Sequence, residues 1–297
     1  MSNLTILTYN ILSQNLAQEM LNEKKNNVQI YNSDIMSKNY RWNLISNYIS
    51  NRIEESKANP SNNLIICLQE VTEEWVEMFA ILFASVNYGY LNVQHGRSFN
   101  GNMGVLMAYP LKLFIIKSEF YHIGAHIQIT NSTSKKILPY IPIASAKSNI
   151  AIIIAFEDKQ LGGQPFVVTT YHMPCAPQTP EISLIHSKIL YKKTLKFGMK
   201  IGKNIPLIIA GDFNMTSNFK AYEYLSTKMN CIWHDNFKHW PITNHSYVLN
   251  YEFAGCIDYI FYSNAKCLNV IVRRVKNIIP DILEPSDHIP ITAYFII

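Results

Sequence analysis

The chain has 297 residues, of which 48% are hydrophobic and 16% are charged, and its formal net charge is +5. This hydrophobic content is enough for a large buried core and excludes an intrinsically disordered chain. The small positive charge is compatible with a polyanionic substrate, but by itself it does not point to one.

Short strand-like runs alternate with helical patterns along the sequence. In chain order, the predicted elements are a strand at 4–10, a helix at 40–53, a strand at 64–68, a helix from 72 to about 84, strands at 104–108, 113–117, 151–156 and 166–171, a helix at 180–199, a strand at 207–210, a helix at 222–229, and strands at 256–262, 270–274 and 291–296. Residues 13–37 read as polar and irregular, and Thr72 as a helix N-cap. This order predicts an α/β sandwich with the sheets inside and the helices outside.

No feature of the sequence points to secretion or to a membrane. The five cysteines include no Cys-x-x-Cys pair, which argues against a disulfide framework and against a zinc ribbon. Residues 1–7 lack the basic region and the long apolar segment of a signal peptide. The longest apolar runs, such as residues 150–156, are far shorter than a membrane span. We therefore expect a cytoplasmic protein without membrane association, and the oligomeric state stays open.

Five short motifs place polar side chains at or close behind the ends of strand-like runs. They are Thr8-Tyr9-Asn10-Ile11-Leu12, Leu68-Gln69-Glu70-Val71, Gly211-Asp212-Phe213-Asn214, Ile257-Asp258-Tyr259-Ile260-Phe261 and Ser286-Asp287-His288. Together they supply carboxylates for a hard cation, amides for a phosphate and a His–Asp pair for proton transfer, as metal-assisted cleavage of a phosphate ester requires. Because the motifs lie near both ends of the chain, we expect residues 1–297 to form one catalytic domain.

Each of these side chains also has a structural interpretation. Glu70 ends a buried strand, where α/β folds place their sites, but it could instead cap the following helix. The spacing of Asp212 and Asn214 points both side chains the same way in extended chain, or marks an Asx-turn. Asp258 in an apolar strand needs a partner. His288 is the candidate because a carboxylate fixes the tautomer of an imidazole, although such a bond can be purely structural.

The order and spacing of the motifs resemble the endonuclease/exonuclease/phosphatase superfamily over essentially the whole chain. The finer match is to the branch that contains the Ccr-type poly(A) deadenylases, nocturnin, the angel proteins and the 2′-5′ phosphodiesterase. It rests on four stretches, residues 7–13, 65–71, 253–263 and 286–290. The resemblance implies a four-layer α/β sandwich, in which two mixed β-sheets pack face to face and the helices lie outside.

The resemblance also implies a Mg²⁺-dependent phosphodiesterase, with Mn²⁺ as a substitute. Glu70 would bind the metal, Asn10 would lie close by, and Asp287 would be a second carboxylate near it. An oxygen-only site that keeps several waters suits Mg²⁺. The expected substrate is RNA or a nucleotide.

For the catalytic step, the resemblance assigns one role to each remaining motif residue. Asp212 would orient or deprotonate the attacking water, and Asn214 would hold the phosphate. His172, which follows the strand at 166–171, and His288 would donate to phosphate oxygens, while Asp258 orients His288. Whether Asp212 or His288 is the general base stays open at the level of sequence.

Four further residues are candidates for substrate binding. Pro177 and Phe253 match positions that sandwich the adenine base in deadenylases of this branch, and ordinary loop packing is the alternative for both. Arg97 and Asn102 lie in a polar, Gly-rich loop at residues 95–104 that could reach the substrate.

The chain departs from the branch around the predicted substrate side. It has Thr170-Tyr171-His172-Met173 where the branch usually has Asn-Thr-His-Leu, and Met215 where a Ser usually follows Gly-Asp-Phe-Asn. These changes leave the histidine in place but open the question of substrate identity, because that strand end would line the substrate side.

Three functions are compatible with the sequence. The first is a 3′-exoribonuclease, deadenylase-like, acting on adenosine-rich RNA. The second is a phosphatase or phosphodiesterase for a small nucleotide, such as 2′-5′ oligoadenylate or a dinucleotide 2′-phosphate. The third is a catalytically silent RNA-binding or scaffold protein, which the intact set of ionisable motif residues disfavours.

Overall fold

The structure of the protein is a computed structural model that describes residues 3–96, 100–128, 134–159, 163–236 and 239–297. The strands are β1 (Asn3–Asn10), β2 (Lys24–Lys25), β3 (Val28–Gln29), β4 (Asn62–Val71), β5 (Tyr88–Gln94), β6 (Gly104–Pro110), β7 (Phe114–His122), β8 (Ile150–Glu157), β9 (Phe166–His172), β10 (Leu207–Asp212), β11 (Asn230–Cys231), β12 (Asn244–Val248), β13 (Tyr251–Gly255), β14 (Asp258–Ser263), β15 (Lys266–Val272) and β16 (Ile291–Ile296). The helices are α1 (Gln14–Met20), α2 (Lys38–Lys57), α3 (Glu73–Ser85), α4 (Ile141–Ser145), α5 (Pro180–Ile201), α6 (Lys220–Ser226) and α7 (Ile232–Asn236). Within these ranges, no helix is both long and apolar enough to cross a membrane.

Two six-stranded sheets form the centre of the fold. Sheet 1 has the strand order β15-β16-β1-β4-β6-β5, and sheet 2 has the order β11-β14-β10-β9-β8-β7. Each sheet contains one parallel pair, β1 with β4 and β9 with β10, and the neighbouring pairs are antiparallel. Strands β12 and β13 form a separate hairpin, as do β2 and β3. Both large sheets are therefore mixed.

The alternation of side chains along a strand explains the layers. On β1, Leu4 and Ile6 join the apolar cluster between the sheets, whereas Leu7 and Tyr9 join the cluster under α2 and α3. Helix α5 packs on the outer side of sheet 2, where it contacts β8, β9 and β10. The order helix, sheet, sheet, helix confirms the predicted four-layer sandwich.

Several predicted elements differ from the structure. Residues 13–37, expected to be irregular, contain α1 and the β2–β3 hairpin. The strand β5 and the β12–β13 hairpin were not predicted. Thr72 is the N-cap residue of α3, as expected, but its side chain makes no capping hydrogen bond. Its methyl group instead lies against Gly101, where an added Cβ would be 2.9 Å away.

Candidate active site

Asn10 is the last residue of β1. The alternation of side chains along the strand places it on the same face as Leu4 and Ile6, between the two sheets. Its side chain is fully buried. The backbone N–H of Leu12 donates to Asn10 Oδ1 at 3.0 Å, and this bond fixes the orientation of the amide. The NH₂ group of Asn10 is therefore directed at the carboxylates of the site.

Glu70 reaches the site because of a break in the strand. Regular alternation on β4 would place Glu70 on the helix side of sheet 1, together with Leu68. The register with β6 shifts between Gln69 and Val71, however, and Glu70 has a φ of 61°. This bulge turns the carboxylate back, so that Oε1 accepts from Asn10 Nδ2 at 3.0 Å and Oε2 accepts from Ser13 N–H at 2.9 Å. A left-handed glutamate at such a position is backbone strain of the kind found at functional sites.

Three neighbouring strands of sheet 2 bring three further side chains into one row. Asp212 on β10 is in register with His172 on β9 and with Asp258 on β14. Asp212 Oδ2 accepts from Asn10 Nδ2 at 3.0 Å. The same oxygen lies 3.6 Å from His172 Nε2 and 3.5 Å from His288 Nε2. Asp212 is therefore the point at which the functional groups of both sheets meet.

Asn214 forms the Asx-turn that its spacing from Asp212 allows, and it is not in extended chain. Its backbone N–H donates to Asp212 Oδ1 at 2.8 Å, which is an Asx-type turn. Its side chain donates from Nδ2 to the carbonyl of Met173 at 2.9 Å, and the same nitrogen lies 3.1 Å from His172 Nε2. The turn, formed with a φ of 46° at Asn214, thus places the amide beside the histidine.

The predicted pair of Asp258 and His288 is present. His288 Nδ1 lies 2.8 Å from Asp258 Oδ2, and a carboxylate partner means that Nδ1 carries the proton. Burial by itself lowers the pKa of His288, but the charges of Asp258, Asp212 and Asp287 together raise it well above its ordinary value. Asp258 therefore fixes the ring with Nε2 directed at Asp212.

Burial also shifts the pKa values of Asp212 and His172. It raises the pKa of Asp212 to about 7, with His288 opposing the shift and Asp258 adding to it. It lowers the pKa of His172, while the charge of Glu70 acts in the opposite direction. Burial and the neighbouring charged groups together therefore determine which of these side chains carry a proton.

The donor atoms of this site fit a hard cation. Glu70, Asp212 and Asp258 are all more than nine-tenths buried, so the cluster concentrates negative charge away from water. Among the described residues, ligand atoms of Asp212, Asp258 and His288 lie within 4.8 Å of one another. His288 Nδ1 is already bonded to Asp258, and the amide oxygen of Asn10 already accepts from Leu12 N–H, which leaves a donor set made mainly of carboxylate oxygens.

Asp287 lies at the edge of this cluster. It is half-buried, and its Oδ2 accepts from Asn244 Nδ2 at 3.1 Å. Asn244 also forms an isolated backbone bridge with His288. The β12–β13 hairpin is thereby fixed to the loop that carries Asp287 and His288.

That hairpin carries Phe253, one of the candidate substrate residues. Phe253 is half-buried, and its ring leans over Gly255, where an added Cβ would lie 2.7 Å from Phe253 Cζ. Pro177 is exposed in the loop before α5. The contact between Pro177 and Phe253 across a base stays a prediction.

The loop with the two polar candidates is only partly described. Asn102 is exposed and has a φ of 51°, and the adjacent Gly101 packs against Asn15 and Thr72. Gly101 thus places this loop next to Asn15 in α1 and next to Thr72, the N-cap residue of α3. Arg97 lies outside the described residues, and the substrate role of both residues stays a prediction.

Most of the residues that differ from the family pattern have side chains in the core. The side chains of Met173 and Met215 are buried in the cluster between the layers, so they do not line the substrate side as expected. The Tyr171 side chain lies on the helix side of β9, where its hydroxyl is 2.7 Å from His186 Nδ1. Cys175, two residues after Met173, is exposed.

Sequence reasoning missed Arg41, which holds two of the motif loops together. Arg41 is fully buried; its Nε donates to the carbonyl of Pro285 at 2.7 Å, and Nη1 donates to Gln14 Oε1 at 2.8 Å. Nη2 donates to the carbonyls of Ile11 and Leu12. One signal was available: Arg41 is one of only five arginines in a Lys-rich chain, and it lies on the apolar side of a helix.

Ser286 adds a second link between the same two loops. Its hydroxyl donates to the carbonyl of Asn10 at 2.7 Å and accepts from His288 N–H at 3.2 Å. Gln69, between the sheets, donates from Nε2 to Thr170 Oγ1 at 3.2 Å. These bonds tie the strand ends that carry the site.

The fold is a two-sheet α/β sandwich that brings carboxylates and histidines together at the ends of its central strands. The chain belongs to the Endonuclease/Exonuclease/phosphatase family, whose model matches residues 7–288. Members of this family are hydrolases that act on phosphate esters and generally depend on a divalent metal.

Curated relatives include exoribonuclease subunits of fungi. The chain is 25% identical to a probable CCR4-Not complex 3′-5′-exoribonuclease subunit Ccr4 of Vairimorpha ceranae, covering 86% of this chain and 62% of that protein. It is 24% identical to the Ccr4 subunit of Saccharomyces cerevisiae, covering 98% of this chain and 38% of that protein. The chain thus spans less than two thirds of the length of these relatives.

Solved structures confirm the fold. ANGEL2, described as a 2′,3′-cyclic phosphatase in complex with adenosine-2′,3′-vanadate, superposes with a TM-score of 0.76 at 15% identity, covering 99% of this chain and 95% of that one. The human Nocturnin catalytic domain with a bound sulfate superposes with a TM-score of 0.69 at 19% identity, covering 99% and 94%.

Proposed function

We propose that the chain is a single catalytic domain with Mg²⁺-dependent phosphodiesterase activity, which removes nucleotides from the 3′ end of adenosine-rich RNA. The observation that carries the proposal is the convergence at Asn10 Nδ2, where Glu70 Oε1 and Asp212 Oδ2 each lie at 3.0 Å. Two histidines flank Asp212 at the same place. The exoribonuclease activity named for the Ccr4 relatives supports RNA as the substrate.

Glu70 would hold the metal, with Asn10 and Asp287 near it. A bound Mg²⁺, or Mn²⁺ in its place, would supply charge neutralisation at the phosphate oxygens. The oxygen-rich, partly buried set of donors supports this assignment, since Mg²⁺ binds through one or two carboxylates and keeps several waters.

The remaining residues would position the water and the phosphate. Asp212, held in place by Asn10 and by the N–H of Asn214, would orient the attacking water. His288, oriented by Asp258, would present Nε2 to the phosphate. Asn214 and His172 would hold the opposite side of the phosphate. Such donors are arranged before the reaction starts, which is the condition for electrostatic catalysis.

Base recognition would come from the loops around this centre. Phe253 and Pro177 would stack on the adenine, and Asn102 and Arg97 would bind the sugar or phosphate beside it. The ring of Phe253 leans over Gly255, and Gly255 pairs with Asn244 in the β12–β13 hairpin. Asn244 in turn bonds Asp287. This chain of contacts from Phe253 to Asp287 supports a base site next to the reacting phosphate.

A gel assay with 5′-labelled RNA ending in A₂₀ or U₂₀ tests the proposal. We expect a ladder of 3′-shortened products that requires Mg²⁺, is faster on A₂₀, and disappears in Glu70→Gln. Glu77→Gln, a change of the same kind on the exposed side of α3, is the matched control and should cleave like wild type. If Glu70→Gln keeps full Mg²⁺-dependent activity, the metal assignment is wrong. If Phe253→Ala cleaves A₂₀ and U₂₀ in the wild-type ratio, the base clamp is wrong.

A second candidate is a phosphatase or phosphodiesterase for a small nucleotide or a modified RNA end. The structural similarity to ANGEL2, named as a 2′,3′-cyclic phosphatase, favours including it. Intact A₂₀ and U₂₀ after the gel assay would favour this candidate. Hydrolysis of RNA with a 2′,3′-cyclic phosphate end, of 2′-5′ oligoadenylate and of a dinucleotide 2′-phosphate would then be measured, again with Glu70→Gln as the inactive control.

A further inference from the structure

Positive charge is concentrated on the outer side of sheet 2. No Asp or Glu occurs at residues 182–211, which include most of α5 and the turn that follows it, or at residues 120–156, which include α4 and most of β8. The two segments together carry nine lysines, so their formal charge is +9 and that of the remaining residues is −4, for the total of +5. The six lysines of the first segment are Lys188, Lys192, Lys193, Lys196, Lys200 and Lys203. The small net charge therefore conceals one strongly basic region.

The two segments are joined in space, because α4 packs on the first half of α5. Ile141 and Ala144 of α4 share an apolar cluster with Ile182 and Ile185 of α5. His186 Nε2 also lies 2.9 Å from the carbonyl oxygen of Ala144. The lysines of both segments thus belong to one side of the molecule.

This side starts at the rim of the proposed site and extends away from it. Asn149, two residues after Lys147, donates from Nδ2 to the carbonyl of His172 at 2.8 Å. Strands β9 and β10 are parallel and both end at the site, so α5, which connects them, starts near the site and runs back from it. At a rise of about 1.5 Å per residue, Lys188 and Lys200 lie about 12 and 30 Å along α5 from its first residue. The lysines therefore follow a line that leads from the site to the far end of the helix.

The charge pattern of α5 differs from that of an ordinary solvent-exposed helix. Like charges four residues apart destabilise a helix, whereas opposite charges at this spacing stabilise it. Helix α2 mixes both signs: Lys57 Nζ lies 2.8 Å from Glu54 Oε1, and Arg52 Nη2 lies 2.6 Å from Glu55 Oε1. Helix α5 has lysines at four-residue intervals and, after Glu181, no acidic residue. It keeps a repulsion that one glutamate would relieve, which favours a role for the positive charge itself.

Most of this charge is accessible to a ligand. Lys192, Lys196 and Lys200 are exposed. Among the described residues, Glu119 is the one carboxylate that forms an ion pair with a lysine of α5; it lies 3.9 Å from Lys200 Nζ and 2.6 Å from Lys117 Nζ. The other lysines of α5 therefore keep their charge unneutralised within that part of the chain.

The ligand that fits this side of the molecule is a chain of phosphates. Lysine side chains bind phosphate as point charges, and such contacts carry no sequence information. A lipid surface is the other extended polyanion, but a helix that lies on a membrane presents several large apolar side chains to it. In α5, Met199 is the one large hydrophobic residue that is exposed. Single-stranded RNA, whose 3′ end would occupy the adjacent site, matches both the charge and its position.

We propose that a basic surface on α5 binds the phosphate backbone of single-stranded RNA on the 5′ side of the bond that is cleaved. The basic surface consists of Lys147, Lys188, Lys192, Lys196 and Lys200. It holds the substrate whatever its bases, whereas Phe253 and Pro177 would select the base at the 3′ end. The direction of the RNA rests on the proposed function, but the binding of RNA to the surface does not.

The test is the affinity for 5′-fluorescein-labelled A₂₀ and U₂₀, measured by fluorescence anisotropy at several salt concentrations in EDTA, so that the RNA stays intact. In the double variant Lys192→Gln/Lys196→Gln we expect Kd to rise roughly tenfold or more at about 0.1 M salt. The slope of log Kd against log salt should fall by about 1.4, because each phosphate contact with a single strand contributes about 0.7. Both changes should be the same for A₂₀ and U₂₀.

The matched control is Lys57→Gln/Lys266→Gln, which removes two exposed lysines from the side of sheet 1. Glutamine and lysine have similar helix propensities, so neither double variant should unfold a helix. The control should change Kd by less than about twofold and leave the salt slope near that of wild type. Equal shifts in the two double variants would overturn the proposal.

Kinetics and vesicle binding provide the second arm. Lys192→Gln/Lys196→Gln should raise KM for A₂₀ by a factor similar to that for Kd, with a smaller effect on A₃, which is too short to follow α5. Wild-type affinity for RNA together with lost binding to phosphatidylserine vesicles would assign the surface to a membrane and overturn the proposal. The expected shifts in a protein that cleaves neither RNA would refute the proposed function and leave the RNA-binding surface intact.

Discussion

Arg41→Lys is the substitution that tests most sharply how the site is assembled. The change keeps the positive charge and most of the apolar stem, so the cost of burying a cation is retained. It removes the planar fork, which bonds Pro285 on one loop and Ile11, Leu12 and Gln14 on another. A single ammonium group cannot reach acceptors on both sides.

We expect Arg41→Lys to lose about two of these bonds. A hydrogen bond to a charged group is worth about 1.5–3 kcal/mol, so the free energy of unfolding should fall by about 3–6 kcal/mol. This is a large part of the roughly 5–15 kcal/mol that stabilises an ordinary domain. Activity should fall as well in the fraction that remains folded, because the loops that carry Asn10 and Asp287 lose their common anchor.

Urea unfolding followed by tryptophan fluorescence measures this change. Arg52→Lys is the matched control, because its ion pair with Glu55 at 2.6 Å is partly exposed, with 21% and 54% of the two side chains accessible, and exposed pairs contribute about 0–1 kcal/mol. If the midpoint and slope of Arg41→Lys gave an unfolding free energy within about 1 kcal/mol of Arg52→Lys, the assignment of Arg41 as the anchor would be refuted.

Three further changes have defined outcomes. Burial lowers the pKa of His186 to about 4, below its unfolded value of about 6.5. The free energy of unfolding is therefore at its full value above about pH 6.5 and falls as the pH is lowered towards 4, because the unfolded chain takes up the proton first. Urea unfolding at a series of pH values should show a loss of about 3 kcal/mol over this range, and His186→Gln should lack it. Gly211→Ala should unfold the chain or cost about 2–4 kcal/mol by the same assay, because the new Cβ would lie 1.9 Å from the carbonyl oxygen of Tyr171 at a φ of 155°. Gly255→Ala should displace the ring of Phe253 and reduce the ratio of A₂₀ to U₂₀ cleavage, whereas an unchanged ratio would separate that ring from base recognition.

Much of the fold was predictable because the hydrophobic pattern of each segment agrees with its burial in the folded protein. The apolar runs that become β4 and β10 are buried on both faces, and continuous apolar runs of this length are typical of such strands. Polar residues directly after these runs had to emerge at the rim of a sheet. Glu70 and Asp212, which follow the two runs, could therefore be expected at the rim of a sheet before their distances were known.

The features that escaped prediction depend on long-range contacts. The β12–β13 hairpin has mixed polar strands, and it is fixed by Asn244 bonding Asp287 and by the hydroxyl of Tyr31 bonding both backbone groups of Tyr247. The bulge at Glu70 follows from the register with β6. Arg41 bonds partners up to 244 positions away in the chain. None of these contacts leaves a periodic pattern in the local sequence.

The central claim is that the buried cluster around Asp212 hydrolyses phosphodiesters with a divalent metal. The most direct measurement is the single-turnover rate of cleavage of 5′-labelled A₂₀ RNA with and without Mg²⁺, for wild type, for Asp212→Asn and for Asp281→Asn as a control outside the cluster. The account predicts a Mg²⁺-dependent rate that falls by at least roughly a hundredfold in Asp212→Asn and is retained in Asp281→Asn. Equal rates in wild type and Asp212→Asn, or cleavage that persists in EDTA, would contradict it.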